Sequence, residues 1–544
     1  MRDHVWDASA PVRFKWDIGN GMNWGARVLA QGHDRAEVSW ETPEALSVPA
    51  FLDGYRTLYD ELAETRAAAE EAAAAVDDPR EKQRMLRRID DRLDYAPLRL
   101  LVMSTWMYHV RQHDPGVHHG GDYRDELAAP LLAFNRIVGA AAGLLMFGFV
   151  TDWCRRCGAS WLRACNSGLI AAALLWLNPA LLLDAHAWPQ WDVWAVPFYV
   201  GAVWAGSRNR AGWWLVAGLA IGIGAMLKGQ ILMASVALPV WALVVGGWRN
   251  VPCLLGGFVA AWAAITAVWL LDNTWAQVVA AVATVALATG LWFVPKVKRG
   301  DRWLAGIIGT GGIVFAAGYL FDGSFAWLTY GFANPTGQYP QLFLGPTSNV
   351  PALLAERFGF RLEDDVPIPW LGPQALRTVL ITAGGTFIVL AGVLIGVQHR
   401  RRSTTLLVAV GLPWLAMFTL MPQMHERYLV WAAAISAAGA ACSIGGVALH
   451  LGIAAAASVM IGHCLLLQDE AFAPGWLTFY AGTHPDAGWV VLVLMIAGFV
   501  MAVQTGGRPA DHLTPTGTSS TSSAGRPPIQ RVRSGEPSGE ASPA

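Results

Sequence analysis

The chain has 544 residues, of which 54% are hydrophobic and 15% are charged, and its formal net charge is −1. The apolar residues fall in runs of about 20, the length of helix that crosses a bilayer core about 30 Å thick. The near-zero net charge says nothing about nucleic acid, but no basic stretch is interleaved with aromatic residues outside the apolar runs, so we expect no nucleic-acid partner. The composition therefore predicts an all-α polytopic membrane protein and excludes an ordinary soluble domain.

Six cysteines are scattered along the chain, and only Cys154 and Cys157 have the spacing of a metal or redox pair. A four-ligand zinc site needs a second pair, which the sequence lacks. His109 and His113 share a helical face, but surface histidines of an amphipathic helix are commoner than metal ligands. We expect no disulfide framework, no metal and no cofactor.

Residues 1–128 contain no run long enough to cross a membrane. Residues 55–75 are rich in Ala, Glu and Leu and residues 80–93 are strongly charged, which predicts a solvated helical hairpin. The sequence Leu-Asp-Tyr-Ala-Pro-Leu at 93–98 opens an apolar stretch that ends near Val110. Because that stretch is too short to cross, we expect a helix that lies in the membrane interface.

From residue 129 to 504 the apolar runs follow one another closely and predict about thirteen transmembrane helices. Their expected bounds are 129–150, 165–183, 192–206, 213–227, 230–248, 253–271, 275–294, 303–321, 377–398, 404–421, 428–448, 450–467 and 488–504. A long loop, 322–374, interrupts them. The segment 505–544 is rich in Ser, Thr, Pro and Gly, cannot bury a core and is expected to be disordered.

Lys and Arg in the short connections predict the side on which each loop lies, because cytoplasmic loops are enriched in both. Loops that contain basic residues alternate with loops that lack them. The basic residues are Arg155-Arg156, Arg208 with Arg210, Arg249, Lys296 to Arg299, and Arg400 to Arg402. With these groups in the cytoplasm, the C-terminal tail is cytoplasmic as well. The extracytoplasmic side of a cell (inner) membrane then includes residues 1–128, the loop 184–192, the turn 228–230, the loop 322–374 and the turn 421–428.

The connection Asn178–Pro197 joins two apolar runs and has an unusual content for a short loop. It contains Asp184, His186, Gln190 and Asp192, together with three tryptophans. Tryptophan concentrates at membrane interfaces, so an aromatic belt with polar residues at headgroup depth is one interpretation. The other is a functional site, which requires further polar groups on the same side.

Two such groups are expected there. Lys228 and Gln230 lie at the end of one span, and His425, Glu426 and Arg427 lie together in a later turn. A lysine at a span end commonly snorkels to the interface, and the later turn can also be an interfacial anchor. Three polar groups on one side, with none comparable on the other, favour a chamber at the outer membrane surface.

Cations at a membrane mouth suit a phosphate whose hydrocarbon tail lies in lipid, since arginine offers a planar fork and lysine a point charge. An acid in an adjoining loop suits a general base for an incoming hydroxyl. Together these features favour sugar transfer from a lipid-phosphate carrier. The alternative is a lipid-linked-glycan transporter or flippase, or a non-catalytic membrane protein, although the hydropathy has no inverted repeat.

Five short motifs occur in order: Asp17 followed seven residues later by Trp24, Leu-Asp-Tyr-Ala-Pro-Leu at 93–98, the stretch 178–192, Lys228 with Gln230, and Gln-Met-His-Glu-Arg at 423–427. In this order they resemble the GT-C superfamily of polyprenyl-phosphate-sugar-dependent glycosyltransferases. The pattern is most similar to the dolichyl-phosphate-glucose-dependent glucosyltransferases of the asparagine-linked glycosylation pathway. The His-Glu-Arg sequence also resembles bacterial mannosyltransferase-like relatives, which leaves the hexose open between glucose and mannose.

The chain departs from the family pattern at three positions. Ala96 stands in place of a proline, Asp192 in place of an asparagine, and Gly229 separates Lys228 from Gln230. The resemblance nevertheless implies a GT-C-like bundle of about thirteen transmembrane helices with extracytoplasmic helical loops.

The resemblance also implies roles for the residues that match. Asp17 would be the catalytic base of an inverting transfer in which the carrier phosphate leaves without help from a metal. That phosphate would be bound by His425 and Arg427, with support from Lys228 and Gln230. The substrate pocket would include Asp94, Tyr95, Asp184, His186, Gln190, Asp192 and Glu426.

The implied partners are a polyprenyl-phosphate-linked sugar donor, a lipid-linked or cell-envelope glycan acceptor, and membrane lipid. An ordinary surface aspartate is the alternative for Asp17, and a turn-forming role is the alternative for Asp94. In the family a membrane helix precedes the catalytic acid, whereas Asp17 lies near the first residue. We therefore expect a further helix before Met1, giving fourteen membrane helices with both ends in the cytoplasm.

Overall fold

The computed structural model describes residues 15–30, 48–78, 81–82, 85, 93, 95–117, 124–293, 299–333, 341–369, 372–468 and 476–504. Most of these residues are helical. The helices of eight residues or more are α1 (Lys15–Ala30), α2 (Val48–Ala74), α3 (Pro97–His113), α4 (Ala129–Arg156), α5 (Trp161–Trp176), α6 (Ala195–Ser207), α7 (Ala211–Leu227), α8 (Ala237–Gly246), α9 (Asn250–Leu270), α10 (Thr274–Phe293), α11 (Arg299–Leu320), α12 (Val350–Phe358), α13 (Leu376–Arg401), α14 (Leu412–Leu420), α15 (Leu429–Ala440), α16 (Ile444–Gln468), α17 (Trp476–Thr483) and α18 (Ala487–Val503).

Local sequence sets several of the helix ends. The side chain of Ser160 begins α5 by accepting a hydrogen bond from the Arg163 N–H at 3.4 Å. Asn349 begins α12 in the same way, with a bond of 3.0 Å from the Ala352 N–H. The helix ends at Gly359, whose φ of 71° lies in the left-handed region that favours glycine.

Each of the thirteen predicted membrane segments is largely helical, but fewer helices are long and apolar enough to cross a membrane. Within the described residues there are six, namely Glu126–Arg156, Ile231–Leu270, Thr274–Phe293, Gly300–Leu320, Leu376–Arg401 and Ile444–Leu467. A seventh is obtained if Trp161–Trp176 and Pro179–Ala187, which are bent by 43°, count as one span. The structure is that of a mainly α-helical membrane protein, and the number thirteen is not confirmed.

The difference arises because hydropathy detects apolar composition but not where a helix breaks. The predicted segments 230–248 and 253–271 lie in one stretch of 40 residues, Ile231–Leu270. In contrast, α6 has only 13 residues and α15 only 12. A helix of that length is about 20 Å long or less, shorter than the bilayer core.

Helix α15 lies at the centre of the bundle. Every residue from Leu429 to Ala440 is buried, and the helix packs on α5, α6 and α16. Such a helix is apolar on all sides because protein, not solvent, covers every face. The other close pairs are α4 with α5 and α6, α7 with α6 and α9, α9 with α11, and α8 with α13.

The segment before the first long apolar run is more buried than expected. The hydroxyl of Tyr55 donates to the Pro97 carbonyl at 2.9 Å, and that of Tyr59 donates to the Tyr95 carbonyl at 2.6 Å. These bonds hold the first half of α2 against the start of α3. The prediction of a solvated helix is therefore wrong for this half, and most of the second predicted helix, 80–93, lies outside the described residues.

Helix α3 is also a packed element of the fold, not only an interfacial helix. Its buried residues include Arg99 and Met103, and it contacts α1, α7 and α9. Near its end the rings of His109 and His113 lie 4.3 Å apart. In the part of the chain that the structure describes, no three His, Cys, Asp or Glu side chains are grouped as metal ligands would be.

The loop 322–374 contains a β-hairpin that the all-α prediction does not include. Strand β1 (Asp365–Ile368) pairs antiparallel with β2 (Gly372–Ala375), with Asp365 opposite Ala375. Helix α12 precedes the hairpin. The predicted disordered tail, 505–544, lies outside the described residues.

Helices α7 and α9 approach closely through glycines. A Cβ atom at Gly218 would overlap the carbonyl oxygen of Leu254, and one at Gly257 would overlap that of Leu215. We expect Gly218→Leu to destabilise the protein by about 1–3 kcal/mol or more, because the clash is with backbone. Thermal unfolding of the purified protein in detergent, followed by tryptophan fluorescence, measures the loss.

The matched control is Gly290→Leu in α10, where a Cβ has no neighbour within 4 Å. Its melting temperature should equal that of the wild type. Equal melting temperatures for both variants would show that α7 and α9 are not held at this distance.

Candidate functional site

The connection Asn178–Pro197 folds as a short helix that widens into a turn. The side-chain oxygen of Asn178 begins that helix by accepting a hydrogen bond from the Ala180 N–H at 3.0 Å. The next turn, Leu183–Ala187, is π-helical, a form that occurs frequently at functional sites. A 3-10 turn, Asp192–Trp194, then leads into α6.

One buried side chain of α4 fixes this connection. The amide nitrogen of Asn135 donates to the carbonyls of Ala185 and Gln190, both at 2.8 Å. Its oxygen accepts a bond of 2.6 Å from the indole N–H of Trp194. Three hydrogen bonds to one amide hold the two sides of the turn together, so the charged residues between them have defined positions.

The centre of the site is the carboxylate of Asp192. Its two oxygens form ion pairs with Lys228 Nζ at 2.7 Å and Arg427 Nε at 3.1 Å. Lys228 follows the last residue of α7, and Arg427 precedes α15. The Asp192 carbonyl also accepts a bond of 2.7 Å from the Trp431 indole. The predicted residues from three distant parts of the sequence therefore meet in one buried cluster.

Aromatic rings cover the two cations. The Lys228 ammonium lies 5.1 Å from the ring centre of Tyr428 and 5.9 Å from that of Trp431, and these rings stack at 4.8 Å. The Arg427 guanidinium lies 5.1 Å from the ring of Trp188. Cation–π contacts of this kind strengthen when water is excluded. The tryptophans that looked like an interfacial belt are packed inside the site.

A second acid lies beside the cluster. Glu426 is 1% exposed, and one of its oxygens lies 3.6 Å from His425 Nδ1. A Cβ atom at Gly345, whose φ is 57°, would overlap this carboxylate, so the loop 341–349 closes over it. Burial acts to raise the pKa of Glu426, but His425 and Arg427 outweigh it and hold the pKa below its ordinary value.

The same balance applies to Asp192. Burial acts to raise its pKa, whereas the charges of Lys228 and Arg427 lower the pKa by more. One buried carboxyl group thus faces two cationic side chains in a place that water does not reach.

Asp184 differs from both of these acids. It is fully buried, and neither of its oxygens has a hydrogen-bond partner among the described residues. It lies within electrostatic reach of Asp192, Arg427, Lys228 and Glu426. A buried carboxyl group without a hydrogen bond is costly, so this group has acceptor capacity that a hydroxyl-bearing ligand can use.

The remaining predicted pocket residues lie around these acids. The Gln190 N–H donates to the Asp184 carbonyl at 3.0 Å. Gln230 Nε2 donates to the hydroxyl of Tyr428 at 3.3 Å. His186 is half-buried in the π-helical turn.

Arg99 is a buried cation that the motifs did not identify. Its guanidinium lies 3.7 Å from the ring centre of Tyr95 and 4.2 Å from that of Trp191, and its Nε has no hydrogen-bond partner in the described residues. Its charge acts on both Asp192 and Lys228. One signal was available: Arg99 is a lone charge in an apolar stretch, and such residues commonly mark functional sites.

The structure does not locate the carboxylate of Asp17. Its backbone is in α1, but its side chain lies outside the described residues, as does all of Asp94. One turn further along α1, a Cβ at Gly21 would lie 3.5 Å from the Tyr95 hydroxyl and 3.6 Å from Trp191. The backbone of Asp17 is about 6 Å along the helix axis from Gly21, which lies beside the aromatic pair that holds Arg99.

No protein-family profile and no curated protein matches this chain. The fold and the site define a class by themselves: a mainly α-helical membrane protein with a buried cluster of acids and cations. The cluster presents cationic groups, aromatic faces and an acid that has no hydrogen-bond partner within the described residues. That combination suits an amphiphilic ligand with a phosphate and hydroxyl groups.

Removing one member of the central ion pair should be costly. Lys228→Met leaves the Asp192 carboxylate with one of its two cations, and we expect a loss of about 3–5 kcal/mol in unfolding free energy. In the double variant Lys228→Met/Asp192→Asn the loss should be smaller than the sum of the two single losses. Thermal unfolding in detergent measures all three.

The exposed ion pair of Arg357 and Asp486 provides the comparison. Arg357→Ala should leave the melting temperature unchanged, because solvent screens that pair. Additive losses at Asp192 and Lys228 would show that the two side chains do not depend on each other.

Proposed function

We propose that this protein is an inverting glycosyltransferase that moves a hexose, glucose or mannose, from a polyprenyl-phosphate carrier to a lipid-linked or cell-envelope glycan. The observation that carries the proposal is the buried cluster around Asp192. There Lys228 and Arg427 share one carboxylate, while Asp184 beside them has no hydrogen-bond partner among the described residues. The order of the five motifs supports the same activity.

The cations form the donor side of the proposed site. Lys228 and Arg427 are fixed by Asp192, so little reorganisation is needed when charge develops on the leaving phosphate. Arg99 adds a third cation, stacked between Tyr95 and Trp191. His425, whose side chain is 24% exposed, lies at the mouth of the cluster, where the phosphate enters while its hydrocarbon tail stays in lipid.

The aromatic faces and Asp184 form the sugar side. Trp188 and Tyr428 flank Arg427 and offer apolar surface to a hexose ring. Asp184 accepts hydrogen bonds from sugar hydroxyls, which satisfies a buried carboxyl group that has no hydrogen-bond partner among the described residues. His186 and Gln190 border the same turn and complete the pocket.

In the reaction, an acceptor hydroxyl loses its proton to Asp17 and its oxygen attacks the anomeric carbon from the face opposite the phosphate. The bond between that carbon and the phosphate oxygen breaks, and the electron pair leaves with the carrier phosphate. Configuration at the carbon inverts. The positive charges of Arg427, Lys228 and Arg99 stabilise the departing phosphate, so the step balances without a metal.

The proposed orientation places this site at the extracytoplasmic membrane face and the C-terminus in the cytoplasm. It follows from the basic groups in the short loops. In this proposal the short and bent helices, α6, α14 and α15 among them, count as membrane segments of a thirteen-helix GT-C-like bundle.

Cysteine labelling at Thr483 and at Arg249, which the proposal puts on opposite sides of the membrane, tests the orientation.

The activity is tested with purified protein and a panel of polyprenyl-phosphate sugars and glycan acceptors. Asp17→Ala should lower the rate of transfer by at least about 100-fold, the low end of general-base catalysis, and leave donor binding unchanged. Asp53→Ala, an exposed aspartate in α2, is the matched control and should keep full activity. Unchanged turnover in Asp17→Ala would remove Asp17 as the base.

Movement of the intact lipid-linked sugar across vesicles, with no new glycosidic bond, would instead identify a transporter. The absence of both transfer and transport with every donor would contradict the proposal. Mass spectrometry of the products distinguishes these outcomes.

Asp184→Asn separates a ligand-binding role from a structural one. The variant keeps the shape of the side chain but removes a buried carboxylate that has no hydrogen-bond partner in the described residues. We expect a slightly raised melting temperature together with a raised KM for the sugar substrate. A lowered melting temperature would show that Asp184 supports the fold.

A further inference from the structure

A polar cavity, distinct from the Asp192 cluster, lies at the other end of α6 and α7. Its volume is about 540 Å³, within the range of small-molecule sites. Its lining residues include Arg156, Arg208, Asn209, Arg210, Trp213 and Arg402. We refer to it as the arginine cavity.

Two helices connect the arginine cavity to the charged cluster and fix the distance between them. Helix α6 begins just after Asp192 and ends at Ser207, whereas α7 begins after Arg210 and ends before Lys228. With 13 and 17 residues, these helices are about 20 and 25 Å long. The two sites are therefore separated by nearly the thickness of a bilayer core.

The charge of the cavity is strongly positive. Four arginines line it, and Asp152 is the acid that neutralises part of this charge, through ion pairs with Arg156 at 2.8 Å and Arg208 at 3.3 Å. Arg210 and Arg402 have no carboxylate partner among the described residues. The four arginines converge from three places in the chain: the end of α4, the α6–α7 connection and the end of α13.

Hydrogen bonds hold the α6–α7 connection in place. Asn209, at a φ of 47°, accepts bonds from Trp214 Nε1 at 3.3 Å and Asn250 Nδ2 at 2.8 Å. Arg156 donates to the Ser207 carbonyl at 2.6 Å. These hydrogen bonds hold the cavity walls in position before a ligand binds. A loop whose arginines only extend into solvent does not require such bonds.

Two of the four arginines are partly enclosed by the cavity wall, whereas Arg210 and Arg402 are exposed to solvent. The side chains of Arg156 and Arg208 are 29% and 32% exposed, and the Arg208 guanidinium lies 4.9 Å from the ring centre of Trp213. An aromatic face orients such a guanidinium, so that its planar N–H fork can meet the oxygens of an anion.

We propose that the arginine cavity binds a phosphate-bearing anion, either the headgroup of an anionic lipid or a soluble phosphate compound. Guanidinium forks match phosphate oxygens, and Arg210 and Arg402, which have no carboxylate partner in the described part of the chain, supply positive charge that Asp152 does not offset. This inference does not depend on the proposed transfer activity, because it concerns a separate cavity.

The test compares two probes on the full chain in detergent. Phosphatidylglycerol, with phosphatidylcholine as its neutral reference, represents a lipid headgroup, and inorganic pyrophosphate represents a soluble anion. One of them should raise the melting temperature of the wild type in a saturable way. The double variant Arg210→Gln/Arg402→Gln should bind that probe at least about tenfold more weakly.

The control Arg400→Gln/Arg401→Gln removes the same charge from exposed positions at the end of α13 that do not line the cavity, and it should keep wild-type binding. If the glutamine variant fails to fold, Arg210→Lys/Arg402→Lys retains the charge without the fork and should also bind more weakly.

Stabilisation by phosphatidylglycerol alone assigns the site to a lipid headgroup, and stabilisation by pyrophosphate alone assigns it to a soluble ligand. Equal binding losses in the cavity variant and the control would reduce the effect to net charge and overturn the proposal. The same holds if neither probe stabilises the wild type.

Discussion

The structure depends on how three charges are kept away from water at Asp192. Desolvating a carboxylate and two cations is expensive, and their attraction compensates only when geometry is good and further polar groups are satisfied. Here both carboxylate oxygens face a cation and the Asp192 carbonyl accepts the Trp431 indole. Asn135 fixes the neighbouring turn with three hydrogen bonds. The polar interior is therefore built from several helices at once and cannot form until they have packed.

This requirement explains the central position of α15. The helix begins next to Arg427, contributes Trp431 to the cluster and is buried along its whole length. Its 12 residues do not need to match a bilayer, because protein covers them. In a membrane protein, short helices can surround a polar interior because protein covers them. Longer apolar helices, such as α10 and α11, then lie at the outside.

Helices α6 and α7 connect two places where charge accumulates. At one end the cations lie beside acids, and at the other four arginines line a cavity where, among the described residues, Asp152 pairs with two of them. Both helices are strongly apolar, so neither end can shift toward the other without placing charge in hydrocarbon. The apolar composition of α6 and α7 therefore fixes the distance between the two polar regions.

The sequence by itself determined that the chain is helical and apolar. It also identified Asp184, Asp192, Lys228 and Arg427 as candidate residues of one site. Composition and short motifs carry that information because each is local. Only the tertiary structure decided how many helices are long enough to cross, that Asp192 pairs with both cations, and that Arg99 lies between Tyr95 and Trp191. These depend on where helices break and which distant segments meet, and a buried charge acquires its partner from that packing.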